Sequence, residues 1–422
     1  TYGHSYNVNS SYKYGDTDWS MILNTCSDGS NNVTISGTYE HKIQTYQKKW
    51  YFFSLPFDFK VSDVTTENDV KFAIRYYDGA NRAATNTSSG NWKDYASTDI
   101  VKAGTGFILQ TSATTWVTFK AQDNASKSYV MSNQPFEKAL AANSSSQTAH
   151  KGWNLVGNPW LSYYNIHKLS FTAPISVWSG STYEAYSIDD DDYAIRPNEA
   201  FFVQKPDALD KIVFPADGRQ FTKDIVSQNA ARGKEQSARR LVDVQIESSE
   251  QMRDKTRLVI NEEASMDYEI QCDASKFMTM DASVPQIYSL GLDDTQYAIN
   301  ERPVGNGEIR LGVVIRQDGQ HSISAIRNSM GSVMLVDHET GVTTDLSQND
   351  YSFEAAQGTH DSRFSLQIGA SPTSISTIPA NADNKVEVYT LDGRLIGNSA
   401  ENLRQGVYVV RKGQQTQKVI VK

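Results

Sequence analysis

An internal repeat constrains this chain more than any other feature, because a segment that recurs in order must fold as a unit and stack on its copy. Residues Trp50 to Phe57 read W-Y-F-F-S-L-P-F, and Trp153 to Trp160 read W-N-L-V-G-N-P-W. Both place a Trp six residues before a Pro and an aromatic directly after it. Tyr76 to Gly79 (Y-Y-D-G) then matches Val177 to Gly180 (V-W-S-G), and Ala103 to Gln110 (A-G-T-G-F-I-L-Q) matches Pro197 to Gln204 (P-N-E-A-F-F-V-Q). Each copy finishes on a strand that ends in Phe, at Trp116 to Phe119 and at Lys211 to Phe214. Matches that recur in one order indicate two tandem copies of one β module.

The local chemistry agrees with strands. The Trp runs are short, rich in β-formers and stopped by a Pro that cannot donate to a ladder. The Phe-Ile-Leu and Phe-Phe-Val runs are continuous apolar segments, as in strands buried on both faces. Helical periodicity is poor; its best stretch, Phe136 to Ala142 (F-E-K-A-L-A-A), predicts one or two helical turns between the copies. Tyr outnumbers Phe by 22 to 16, which suits pleated surfaces where a ring packs and its hydroxyl stays wet.

Beyond the repeats, Gln228 to Gln236 is polar without an apolar face and reads as a linker. Alternating runs follow from Leu241 to Ile368, among them Leu241 to Ile246, Thr256 to Ile260, Ile309 to Ile315, His321 to Ile326, Val333 to Asp337 and Arg363 to Ile368. Short strands at such intervals predict a β-sandwich with antiparallel pairing. Ala370 to Asp383 is a Pro-punctuated linker, and Val386 to Lys422 carries alternating strands of a small terminal unit. The expected fold class is therefore all-β: tandem repeated β-sandwich or barrel-like modules, then an antiparallel β-sandwich and a small C-terminal β domain. Its expected divisions are 1–125 (N-terminal strands plus the first copy), 126–225, a linker at 226–240, 241–369, a linker at 370–385, and 386–422.

The tail resembles the C-terminal sorting domains of proteins exported by the type IX secretion system of Bacteroidetes. The resemblance lies in V-Y-x-x-x-G-R at Val388 to Arg394, L-x-x-G-V-Y-x-V at Leu403 to Val410, and a terminal K-V-x-V-x at Lys418 to Lys422. The preceding unit is similar to the sandwich before such tails, through Asp350 to Phe353 and Arg363 to Leu366, and Leu55 to Asp58 (L-P-F-D) recurs in adhesin-like surface proteins of that group. These resemblances imply export and display at the outer surface, and no reaction.

Catalytic patterns are sparse. The seven His residues include no H-E-x-x-H or H-x-H, and there is no G-x-S-x-G elbow. Gly104 and Gly106 enter a strand rather than a helix, so they form no phosphate loop. Two cysteines, Cys26 and Cys272, exclude a disulfide framework and read as packed free thiols. A formal charge of −9 argues against sequence-independent nucleic-acid binding. No run reaches the roughly 18 to 20 apolar residues of a membrane-spanning helix. The chain opens at Thr1 on polar residues, as in a mature form without its leader or a fragment of something longer.

Two groups of residues are candidate sites. Asp189, Asp190, Asp191 and Asp192 could hold a structural Ca2+, the one cofactor the sequence allows. Adjacent Asp in extended backbone point opposite ways, however, which favours a solvated acidic loop. Tyr76, Tyr77, Trp92, Tyr95, Trp178, Tyr183 and Tyr186 surround corresponding loops of the two copies, either as module core or as rings that stack on a sugar or anchor a protein. The expected function is a non-enzymatic surface or secreted binding or adhesion protein with an extracellular protein or glycan ligand. The alternatives are a carbohydrate-binding accessory protein of glycan utilisation and the non-catalytic C-terminal part of a larger exported enzyme.

Overall fold

In a computed structural model of the chain, the apolar runs of the repeat become the inner strands of two sheets built alike. The structure describes residues 10–13, 33–35, 40–121, 129–131, 135–160, 162–220, 222–225, 239–279, 281–305, 307–368, 386–390, 394–397, 406–412 and 415–421. Cys26, the linkers at Gln228 to Gln236 and Ala370 to Asp383, and the turn of the tail at Asp392 and Gly393 lie outside the described residues.

In the first copy, β1 (Tyr51–Phe53), β2 (Phe72–Tyr77), β3 (Trp92–Asp94) and β4 (Phe107–Thr111) form a sheet of order β1-β4-β2-β3. One helix, α1 (Gly79–Thr85), interrupts the step from β2 to β3. In the second copy, β5 (Trp153–Gly157), β6 (Ile175–Trp178), β7 (Tyr183–Tyr186) and β8 (Ala200–Gln204) repeat that order as β5-β8-β6-β7. The registers correspond too: Phe107 pairs with Phe53 as Phe201 pairs with Val156, and Tyr77 pairs with Trp92 as Trp178 pairs with Tyr183. All these pairings are antiparallel.

Why the inner strands are apolar throughout follows from what each face meets. Tyr51, Phe53, Phe107 and Leu109 point into the core of their own copy, packed on Ile43, Val117 and Phe119 of a second layer. Phe52 and Ile108, between them in sequence, point the other way and meet Leu155 and Phe202 of the second copy. The two sheets thus lie face to face, and the period-2 alternation of a strand serves two apolar cores. At their edge the contacts come in equivalent pairs. Phe53 bridges Glu199 as Val156 bridges Thr105. Ser54 N donates to Asn198 O at 2.9 Å as Gly157 N donates to Gly104 O at 3.1 Å. Gly104 and Asn198 share a left-handed backbone, with φ of 66° and 59°. A local twofold relation between the copies gives such pairs.

Close approach at that axis sets residue size. A Cβ on Gly157 would sit 2.0 Å from Cβ of Ser54, and one on Gly106 would sit 2.5 Å from Cγ of Leu155. The segment expected to be helical, Phe136 to Ala142, instead opens as a strand, Phe136–Ala139, paired with Lys211–Phe214. Its burial alternates residue by residue, and the ladder it makes with Lys211–Phe214 outweighs local helix propensity.

The third unit winds β9 (Arg240–Ser248), β10 (Arg253–Ile260), β11 (Gln286–Leu290), β12 (Gln296–Arg302), β13 (Glu308–Ile315), β14 (Gly319–Asn328), β15 (Val333–Asp337), β16 (Val342–Asp345), β17 (Tyr351–Ala355) and β18 (Gly358–Ile368) around one core. The order is β16-β15-β18-β13-β11-β12-β10-β9-β14-β17, with Ala274–Ser275 as an eleventh strand on β12. This is a nearly closed, barrel-like sheet, so the chain is all-β with several sheets. One pair departs from the antiparallel rule: β10 and β12 run parallel. A parallel partner requires a long crossover, and the segment after β10 begins it by leaving the sheet, packing on the second copy through Tyr268 and Ile270 before Ala274–Ser275 rejoins β12. The tail forms a four-stranded antiparallel sheet from Val386–Thr390, Leu395–Gly397, Gly406–Lys412 and Gln415–Val421.

Candidate functional site

Face-to-face packing of the copies gathers their edge aromatics at one place. Tyr77 lies 5.3 Å from Trp92 between ring centroids, and Trp178 lies 4.8 Å from Tyr183. Phe52 joins the two pairs: its ring is 5.6 Å from Trp92, edge-on, and 5.6 Å from Trp178, stacked. Four of the seven aromatics singled out in the sequence therefore converge, two from each copy. Behind them, Phe202 stacks on Phe277 of the third unit at 4.5 Å.

The cluster is sealed on the side of the third unit and open on the other. The open side is a groove of about 630 Å³, whose walls include Tyr46, Trp50, Trp92, Trp178 and Tyr183. Tyr46 is 43% exposed, and the indoles of Trp50, Trp92 and Trp178 are half-buried. Lys48, Lys49 and Arg75 line it as well. Arg75 places its guanidinium 5.0 Å from the Trp50 ring centroid and holds Asp94 at 2.7 Å. Trp50, the two lysines and Arg75 are among the lining residues that sequence reading missed. The available signal was the Lys48-Lys49 pair directly ahead of the repeat's first Trp.

The remaining aromatics lie elsewhere. Tyr76 packs on Tyr95 at 5.1 Å, and Tyr95 abuts the core of the first copy, where burial pushes its phenol up to about 12. Tyr186 stacks on Tyr193 at 4.2 Å and donates to Glu184. Neither pair borders the groove.

The groove wall on the second copy is held from behind. In the turn between β6 and β7, Ser179 N donates to Thr182 O at 2.9 Å. Thr279 of the third unit donates its hydroxyl to Ser181 O at 2.6 Å, and Thr182 donates to Asp254 at 3.0 Å. Asp254 in turn pairs with Lys276 at 2.7 Å, both side chains fully buried. On the first copy, Asp78 caps α1 by accepting from Asn81 N at 2.9 Å. That aims Arg82 inward, between the rings of Trp153 (4.4 Å) and Phe277 (4.5 Å). Arg82 donates to Tyr77 Oη, Ala149 O and Ser275 Oγ, so one side chain ties both copies to the third unit.

Three of the four aspartates, Asp190, Asp191 and Asp192, are spent on basic side chains instead of on one another. Asp191 accepts from both terminal nitrogens of Arg257, at 2.6 and 2.9 Å, and from Arg327 at 3.1 Å. Arg257 also grips Asp243, at 2.5 and 2.9 Å. Its side chain is 5% exposed, and the two carboxylates hold it protonated well above the usual arginine range against the opposing effect of burial. Asp190 lies 3.5 Å from Arg239, which also binds Glu301, and burial raises the Asp190 carboxyl. Asp192 meets His167 Nε2 at 2.9 Å, and Asp189 is exposed. Asp190 and Asp191 are thus packed against the third unit and compensated by arginine, which corrects the solvated loop expected from local sequence at those two positions, while Asp189 and Asp192 are exposed as expected. For the Ca2+ reading, the carboxylates do not converge: among the described residues no group of three or more His, Cys, Asp or Glu is disposed to hold a metal.

Two other acidic or nucleophilic groups lie between the second copy and the third unit. Asp273 accepts from Glu269 N and Glu301 N, yet burial raises its carboxyl to about 7. Cys272 is a half-buried free thiol that burial and the neighbouring carboxylates push up, away from the reactive thiolate.

Fold and site together define a class: an all-β chain of serial sandwich-like and barrel-like units with an aromatic groove where two repeats meet. In sequence, residues 163–368 match the profile of a family described as Domain of unknown function (DUF8693). The matched span begins inside the second copy and ends with β18, so it crosses the junction at which Asp191 meets Arg257. No curated protein and no solved structure matches the chain. Among the described residues no helix is long and apolar enough to cross a membrane.

Proposed function

We propose that this chain is a non-catalytic binding protein, exported and acting at or beyond the outer surface of the cell, that holds an extracellular ligand in the groove between its repeats. The observation that carries this reading is the groove itself. Half-buried indoles from two separate sequence repeats converge on one open cleft, on a wall fixed from behind by buried hydrogen bonds. Aromatic anchors on a rigid support are what binding hot spots are made of. Export rests on the tail, whose hairpin motif Val388 to Arg394 and following strand resemble a sorting domain. A glycan is favoured over a protein as ligand by the three Trp rings, since flat aromatic faces take the C–H face of a sugar as readily as another ring.

The test is a binding survey of the full chain against a glycan array and a panel of extracellular proteins, with Trp50→Ala and Trp178→Ala beside it. A ligand held in the groove should lose more than tenfold in affinity in both variants, the effect of a hot spot of roughly 2 kcal/mol. Ligands that bind both variants as well as the parent would rule out the groove and this reading with it.

A further inference from the structure

Resting on the assignment of the groove as the ligand site, we propose that its ligand is an acidic polysaccharide, with sugar faces on Trp50 and Trp178 and carboxylates at Lys48, Lys49 and Arg75. The whole chain carries a formal charge of −9. Against that background the groove is lined by three cations, Lys48, Lys49 and Arg75, and a single carboxylate, Asp281. Neither lysine ammonium meets a carboxylate among the described residues. Arg75 does hold Asp94, but the pair is open to solvent, with side chains 38% and 69% exposed. A pair so wet contributes little and gives way to a competing anion. The local field in the cleft therefore opposes the field of the molecule and selects a negatively charged partner.

Lys48 adds a second, independent point. Its φ is 60°, in the left-handed region where glycine or asparagine fits at lower cost. The turn uses its main chain, through Lys48 N to Thr111 O and Gln110 Nε2 to Lys48 O, and among the described residues no hydrogen bond or ion pair engages its side chain. Its ammonium is therefore left open to the groove it lines.

Sugar fits better than an acidic peptide. A bound peptide strand needs a row of free main-chain groups on the protein. Here the segment beside the rings spends its own: Tyr46 N donates to Tyr51 Oη, Lys48 N to Thr111 O and Lys49 N to Tyr46 O. What the groove presents is rings and cations, and a polyuronate presents C–H faces and carboxylates at sugar spacing.

Calorimetric titration of the full chain with polygalacturonate, with the same polymer after carboxyl reduction, and with polyglutamate tests the proposal. Polygalacturonate should bind at least tenfold more tightly than either other polymer and weaken as salt is raised. Lys48→Glu/Lys49→Glu should lose at least tenfold for polygalacturonate with an unchanged melting temperature, and Trp50→Ala should lose as much. Equal binding of the charged and reduced polymers, both lost in Trp50→Ala, overturns the acidic specificity and leaves the groove as a glycan site. Polyglutamate bound as tightly as polygalacturonate overturns the sugar. Binding to none of the three, while Trp50→Ala abolishes binding of a protein from the panel above, overturns the inference but keeps the binding function. Ligands indifferent to Trp50 remove both.

Discussion

Trp50 and Trp153 occupy the same position in the two repeats, and each carries a guanidinium over its ring, yet one is open and the other sealed. Trp153 is 2% exposed, covered by Arg82 at 4.4 Å, with its indole N–H donating to Ala149 O. Trp50 is half-buried under Arg75 at 5.0 Å and faces the groove. Strand order and register are alike in the two copies, so the sheets do not make this difference; the connections do. Between β2 and β3 the first copy inserts α1, whose Arg82 reaches over to close the second copy's Trp. Between β6 and β7 the second copy has only a tight turn, which the third unit holds in place as a groove wall. One scaffold, used twice, gives one face for docking and one for contact with solvent.

The sharpest way to break this comparison is at the docking face. Arg257→Met removes the cation shared by Asp191 and Asp243 and leaves buried carboxylates short of a partner. It should cost about 3–5 kcal/mol, read as a fall in the urea midpoint. Arg327 also binds Asp191, but from a side chain 44% exposed. Arg327→Ala should therefore cost less than about 1 kcal/mol. Equal losses in the two variants would mean that burial at this junction does not distinguish them, and the sealed-versus-open contrast would lose its physical basis.

The twofold relation itself can be tested next. Gly157→Ser puts a Cβ within 2.0 Å of Ser54 Cβ. An overpacked site of this kind should lose about 1–3 kcal/mol. If the copies are related as their contacts indicate, the swap Ser54→Gly/Gly157→Ser exchanges equivalent positions and restores most of that loss in the same urea experiment. A swap no more stable than Gly157→Ser alone would show that the axis is not there.

The fold was far more legible than the site. The repeat announced itself through fixed spacing, and the apolar runs of β4 and β8 signalled strands covered on both faces, because each alternation of side chains enters a different core. Tyr77, Trp92, Trp178 and Tyr183 could be placed near one another since they end corresponding strands. Lys48, Lys49 and Arg75 could not, because a charged side chain beside a strand has no periodicity that separates a groove from an ordinary wet surface. The acidic loop misled for another reason: Arg257 and Arg327 lie 66 and 136 residues from Asp191. Local sequence carries no trace of a partner at that distance. Phe136–Ala139 misled through propensity, since its helix-favouring residues were read without the strand Lys211–Phe214 that captures them.

The smallest expected effect concerns the connection that enters the second copy, where the two repeats differ because only the first has α1. His150 ends a short turn, Thr148–His150, pinned by Arg82 through Ala149 O. Burial, and then the charge of Arg82, hold its imidazole down to about 4 against an ordinary value near 6.5. A depressed histidine stays neutral in the folded chain while the unfolded chain takes up a proton. Its penalty is therefore absent above about pH 6.5 and grows as pH falls towards 4. Asp273, with its carboxyl raised to about 7, acts in the opposite sense and gains stability as pH falls, so the parent's profile alone cannot isolate the imidazole. The difference between the parent and His150→Gln can. Urea midpoints of the two, compared at pH 7.5 and pH 5, should show the parent losing ground to the variant at the lower pH. A difference that stays constant, or grows in the parent's favour, would mean that α1 does not seal this connection and that the second copy is as open here as the first is at Trp50.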